Sequence, residues 1–233
     1  MSQFACLIPS FNEEKTIGWL VKSLFDKGFH VTVIDDGSSD HTAKLAHENG
    51  AEVIINERNL GKGASLRKGF DILKGREYEA VFILDGDGQH LPEDMEPFIA
   101  CFEEKKPGMI VGNRMHKPKG MPCLRWLTNS FMSHVVSRMC RQRVPDTQCG
   151  FRLISMNALK VIALNTDRYE IESEMLLEVA RAGFKIESIP ITSVYDGQFS
   201  AIHPWRDTVR FFKWFFGTSE REKGVKDAAK SSR

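Results

Sequence analysis

"AVFILDGDGQHLPEDM" spans residues 80–95. Its first five positions are apolar without a break, and the chain then presents two acids, Asp85 and Asp87. Gly86 and Gly88 frame the second acid, and Gln89 follows at the same spacing. A run that is apolar at every position, rather than at alternate ones, marks a strand covered on both faces, as in a parallel sheet. Two carboxylates closing such a strand call for a cation or for solvent.

The same grammar repeats outward from this point. "FACLIP" (4–9), "VTVIDD" (31–36), "AEVII" (51–55), "AVFILDGD" (80–87) and "MIVG" (109–112) read as five strands. Between the first two, Ile17, Leu20, Val21, Leu24 and Phe25 recur at helical spacing, with Asn12 as the expected cap and Gly28 as the stop. A helix leads up to Gly50, and Leu66, Phe70 and Leu73 mark another. Strand–helix alternation predicts an open α/β sheet that binds its ligand at the carboxyl ends of the strands. Farther on, helices are predicted over 123–140, about 171–182 and about 204–216. "FKIESIPITSV" (184–194) reads as an edge strand or bend because of Pro190. The polar tail, 218–233, has no apolar face and reads as disordered.

The 233 residues carry 32 Lys and Arg against 31 Asp and Glu. No overall basic field favours nucleic acid as a partner. The five cysteines are scattered without C-x-x-C pairs, which fits reduced thiols in a cytoplasmic protein better than a disulfide framework or a zinc site. The N-terminus lacks a signal-peptide pattern, and no window approaches 18 apolar residues, so no transmembrane helix is expected.

Polar clusters fall at four predicted strand ends: "PSFNEE", "DDGSSD", "DGDGQ" and "GNR". A solvated turn explains any one of them; their joint placement favours a site. Asp85, Asp87 and Gln89 offer hard oxygen donors suited to Mg2+ or Mn2+, a set that the phosphate oxygens of a nucleotide would complete. The loop is not an EF-hand, because His90 stands where that loop needs glycine. There is no G-x-G-x-x-G after the first strand, and "LGKGAS" is too short for a P-loop. Its Lys62 suits either a backbone loop beside a nucleotide or a plain turn.

"IPSFNEEKTI", "VIDDGSSDHTAKLA", "NLGKGASLRKGF", "ILDGDGQHLPED", "VGNR" and "DTQCGFRLI" resemble, in this order, the family 2 glycosyltransferases. The likeness is strongest to the dolichol-phosphate mannose synthase branch and its bacterial polyprenyl-phosphate relatives, and it covers about residues 3–216. It implies a GT-A (Rossmann-like) α/β fold: a mostly parallel open sheet with helices on both faces, in one domain over 1–217. It implies that Pro9, Phe11, Glu13 and Asp36 contact the nucleoside of a UDP- or GDP-sugar, with Lys62 and Asp85 on the donor side. Asp35 either joins them or braces the loop. Asp85, Asp87 and Gln89 would bind the metal.

The acceptor implied is a lipid phosphate, with Asp87, Arg114 and Arg125 as the catalytic set. A phosphate monoester is already anionic and needs cations, not a general base. Arg114, Arg125 and Arg152 are the candidate forks, against the alternative of an ordinary ion pair for each. Glu172 and Glu174 resemble the family's acidic helix start, or simply favour a helix N-terminus. Alternatives for the whole chain are a soluble acceptor or a non-catalytic nucleotide-sugar-binding protein. The aromatic and basic 204–216 helix is expected either to lie on the cytosolic face of a membrane or to pack in the core. A small membrane-anchoring partner would serve the same end.

Overall fold

The first apolar run becomes β1 (Phe4–Ser10), and every one of its seven residues is buried. Complete burial requires cover on both faces, so β1 lies at the centre of the sheet. In the computed structural model, which describes residues 3–116, 121 and 123–192, the chain continues as α1 (Ile17–Asp26), β2 (His30–Asp35), α2 (Thr42–Glu48), β3 (Glu52–Ile55), α3 (Lys62–Leu73) and β4 (Ala80–Ile83). It then forms α4 (Met95–Lys105), β5 (Met109–Asn113), α5 (Cys123–Cys140), β6 (Arg152–Ser155), α6 (Met156–Val161), α7 (Ile171–Arg181) and β7 (Ile186–Pro190).

The seven strands form one sheet in the order β3-β2-β1-β4-β6-β5-β7. All pairs are parallel except those of β6, which runs antiparallel to both β4 and β5. β7 is the edge strand that Pro190 led us to expect, and Pro190 closes it opposite Asn113. Among the described residues no helix is long and apolar enough to cross a membrane. The described residues lie in one unit, Met1–Asp196. The expected 204–216 helix and 218–233 tail lie outside them.

An aromatic cluster joins the elements beneath the acidic loop. Phe82 of β4 lies 6.0 Å from Phe98 of α4, and Phe98 stacks on Phe151 at 4.7 Å. All three are fully buried. Burying each such ring stabilises the fold by roughly 1.5–3 kcal/mol, so the floor on which the site stands is rigid.

Two expectations need correction. Asn12 does not cap α1: it sits in the left-handed region at φ 57°, and its side-chain oxygen accepts the Ser39 N–H at 2.9 Å. It ties the first strand's loop to the second, and α1 begins later, at Ile17. The fourth strand stops at Ile83 rather than Asp87, because the glycine-framed acids turn out of the ladder. The segment from Arg152 is a strand set between β4 and β5, which makes the sheet mixed at that point.

Candidate active site

The carboxyl ends of β1, β2 and β4 converge, and each delivers its acids there. β4 ends at Ile83, just before Asp85, and a Cβ on Gly150 would overlap the Asp85 carboxylate, so glycine lets the 145–150 loop pass close beside it. The Asp85–Gly86–Asp87 turn lies on the loop after β1. Thr16 Oγ1 donates to the Gly86 carbonyl at 2.7 Å, and a Cβ on Gly86 would come within 2.6 Å of Ser10 Oγ.

Two carboxylates flank a lysine at the start of α3. Lys62 Nζ lies 2.5 Å from Asp85 Oδ1 and 2.5 Å from Glu172 Oε1. Burial opposes the lysine's charge, but Asp85 and Glu172 outweigh it and raise the pKa above its ordinary value. Burial likewise opposes the charge on Asp85, and Lys62, with His90 and Arg114, holds that carboxyl below the usual range. Asp87 has no such partner. Burial and the neighbouring Asp85 push it up to about 6, although it accepts the Gln89 N–H at 3.0 Å. Glu13 is pushed up to about 7, first by burial and then by Asp87, Asp85 and Asp40. His90 is buried against Phe151 at 5.4 Å; burial lowers it to about 4, so at neutral pH it is an uncharged ring.

The remaining candidate residues divide into those facing the site and those bracing it. Asp36 is buried and accepts the N–H groups of Leu60 at 2.9 Å and Gly61 at 2.8 Å, which fixes the loop before Lys62. Asp35 accepts from the Ser38 hydroxyl and its N–H. Both second-strand acids are loop braces here. Pro9 is buried within β1, whereas Phe11 is 44% exposed at its end. Arg114 makes a two-pronged ion pair with Asp146, at 2.8 and 3.0 Å, and Asp146 is fully buried. Arg125 sits half-buried in the first turn of α5.

Arg152 is completely buried. Its guanidinium donates to the backbone carbonyls of Cys149, Glu172 and Thr147, and Glu172 Oε2 lies 3.7 Å away. That is a framework position. Glu172 and Glu174 do more than favour a helix end: Glu172 joins Arg152 to Lys62, and Glu174 accepts the N–H groups of Asn165 and Thr166 at 3.0 and 2.9 Å. Sequence reasoning missed Asp146 and Gly150. The only signal for them was the "PDTQCG" tract itself.

The donor set suits a divalent cation. Burial first, and the crowding of negative charge second, raise the pKa values of Asp87 and Glu13, and an added cation would relieve that crowding. Among the described residues no group of three His, Cys, Asp or Glu closes into a metal cage. An ion held by Asp85, Asp87 and Gln89 would take its remaining ligands from water and phosphate.

The sequence profile described as Glycosyl transferase family 2 matches residues 5–163. A relative from Methanococcus voltae, the UDP-N-acetylglucosamine–dolichyl-phosphate N-acetylglucosaminyltransferase, is 30% identical over 81% of this chain and 84% of its own. Among solved structures, mannosyl-3-phosphoglycerate synthase from Rubrobacter xylanophilus superposes with a TM-score of 0.73 at 18% identity, covering 95% of this chain and 74% of that one. Glucosyl-3-phosphoglycerate synthase from Mycobacterium tuberculosis, solved with Mn2+, UDP and phosphoglyceric acid, gives 0.67 at 18% identity over 84% and 71%. At these identities the two structures establish the shared fold.

Proposed function

The chain belongs to glycosyltransferase family 2, and from that premise we propose an inverting, metal-dependent enzyme that moves a sugar from a UDP- or GDP-sugar to a polyprenyl (dolichyl-type) phosphate. The observation that carries this reading is the Arg114–Asp146 ion pair. A hydroxyl acceptor must lose a proton, so its enzyme needs a base. The acid of the "PDTQCG" loop is Asp146, which is fully buried with both oxygens spent on Arg114. A phosphate acceptor needs no base; it needs cations.

The residues take the following roles. Asp85, Asp87 and Gln89 would hold Mg2+ or Mn2+, which when bound would supply positive charge against the departing diphosphate. Phe11 and Glu13, with Pro9 beneath them, face the nucleoside. Asp35 and Asp36 shape its loops, and Asp36 presents Lys62. Arg125 positions the acceptor phosphate, and Arg114, tied to Asp146, braces the strand end beside it. A phosphate oxygen attacks the sugar C1 from the face opposite the diphosphate. As the new O–C1 bond forms, the bond to the leaving oxygen breaks and its electrons go to the diphosphate, inverting C1. The M. voltae relative, named for transfer to dolichyl phosphate, supports the acceptor class. The protein works at the cytosolic face of a membrane as a peripheral enzyme.

A radiolabelled panel of sugar nucleotides with Mn2+ tests this, with polyprenyl phosphate in one arm and a soluble phosphate monoester in the other. The expected product extracts into organic solvent and carries an inverted anomer by NMR. Product in the soluble arm alone would assign a soluble acceptor, and donor binding without turnover would mean a binding protein.

A further inference from the structure

We propose that the outward face of α5 docks onto an anionic lipid bilayer. The proposal rests on the lipid-phosphate reading above and names the surface that reading requires. Among the described residues, four of the eleven exposed large apolar side chains stand within 124–131 of α5: Leu124, Trp126, Leu127 and Phe131. Leu124 is 69% exposed, Leu127 53% and Phe131 57%. Leu124, Leu127, Phe131, His134 and Arg138 follow at intervals of three and four residues, all exposed, so they share one helical face. The opposite, buried face carries Asn129 and Ser133 beside Met132 and Val136. A helix meant to face water has the reverse pattern.

Charge identifies the occupant. From Arg114 to Pro145 the sequence holds seven Lys and Arg and no Asp or Glu. The rest of the chain holds all 31 acids against 25 bases, the 32 of the chain less these 7. Among the described residues of this stretch Arg138, Arg141 and Arg143 are exposed, and a second copy of the chain docking through the same face would set these cations against themselves. An anionic bilayer would be attracted to the cations and would take the apolar residues into its interface.

Flotation with full-length protein tests the surface separately from the reaction. Wild-type protein is expected to float with phosphatidylglycerol-containing vesicles at low salt and to release at high salt. Leu124→Ser with Leu127→Ser should lower the bound fraction about tenfold or more while leaving the thermal midpoint unchanged, since both side chains are exposed. Arg138→Glu reads the same face through charge: it should weaken binding to anionic vesicles and not to neutral ones. Transfer to a short-chain lipid phosphate in detergent should survive in all three proteins. Flotation lost in the variants, with no transfer in any protein, would uphold the docking face and overturn the acceptor reading. Wild-type protein that does not float, or variants that float equally well, would overturn the docking face. A wild-type dimer that the variants dissolve, without flotation, would give the face to a second copy and overturn it as well.

Discussion

Lys62 and Asp85 form an ion pair at 2.5 Å at the mouth of the acidic loop, and Glu172, 110 residues away from the lysine, holds the same ammonium at 2.5 Å. One acid of the loop is thus already neutralised by the protein, while Asp87 is left to carry the crowding. Lys62→Met should leave two acids without their cation. Breaking a largely buried pair costs about 3–5 kcal/mol, to be read from urea denaturation. Adding Glu172→Gln to that variant should recover part of the loss, because it removes one of the stranded charges. If the double variant is less stable than Lys62→Met alone, the network is not organised around the lysine.

The pH dependence has a definite sign. Asp87 rises from 3.8 to about 6 and Glu13 from 4.5 to about 7 on folding, mainly through burial. The folded state therefore binds these protons more tightly than the unfolded chain. Their contribution to stability is present below about pH 4 and is lost as pH rises through 6 to 7. A divalent cation competes with the same protons, so it should bind better as pH rises across that window. Thermal melts should show a small Mn2+ shift at pH 5 and a shift of several degrees at pH 8. Equal shifts at both pH values would remove Asp87 from the metal site.

Donor binding should depend on that ion. Calorimetry with the preferred sugar nucleotide is expected to show a fall of roughly a hundredfold on adding EDTA, since a bound metal is worth several kcal/mol to a charged diphosphate. Asp87→Ala should bind as weakly with Mn2+ as wild type does with EDTA. Unchanged affinity in either case would sink the assignment of Asp85, Asp87 and Gln89.

Arg125 and Arg114 should separate on truncation. Arg125→Ala is expected to raise the apparent KM for lipid phosphate about tenfold or more, with donor affinity near normal. Arg114→Ala should instead destabilise the fold by about 3–5 kcal/mol, because it strands the buried Asp146. Loss of donor affinity equal to the loss of turnover in Arg125→Ala would place that side chain on the donor instead.

The parts of this molecule legible in the sequence are those whose signal is local. β1, β2 and β4 are continuous apolar runs, and their acidic ends mark the site within a few residues. β6 escaped because it opens with Arg152, a charge that hydropathy assigns to the surface and that the fold instead buries completely under three carbonyls. Its antiparallel direction is fixed by its place between β4 and β5, which no local pattern encodes. α4 carries Met95, Phe98 and Phe102 on its buried side, but Pro97 and three glutamates blur that spacing. The acids Asp85 and Asp87 were readable; the cation between Asp85 and Glu172 was not, because it joins segments far apart in the chain. The second-strand acids were readable as important, yet only geometry assigns Asp36 to the Leu60 and Gly61 N–H groups.

Gly150 offers the sharpest test of the acidic loop. It precedes Phe151 and β6, and a methyl group there would overlap the Asp85 carboxylate. Gly150 itself is buried and does not have a positive φ, so alanine meets no backbone strain there. The nearest conflict is with the Asp85 carboxylate. Either the carboxylate swings away from Lys62 or the loop of 145–150 moves, and the stacked Phe98–Phe151 pair behind it resists the second course. Gly150→Ala should therefore lower turnover about a hundredfold or more and weaken Mn2+ binding, as displacement of a metal-holding group does. The stability loss should stay within about 1–3 kcal/mol, the usual cost of an added methyl in a packed interior. Turnover at the wild-type level would mean that Asp85 can leave its place beside Lys62 without consequence, and its assignment to the metal would fail.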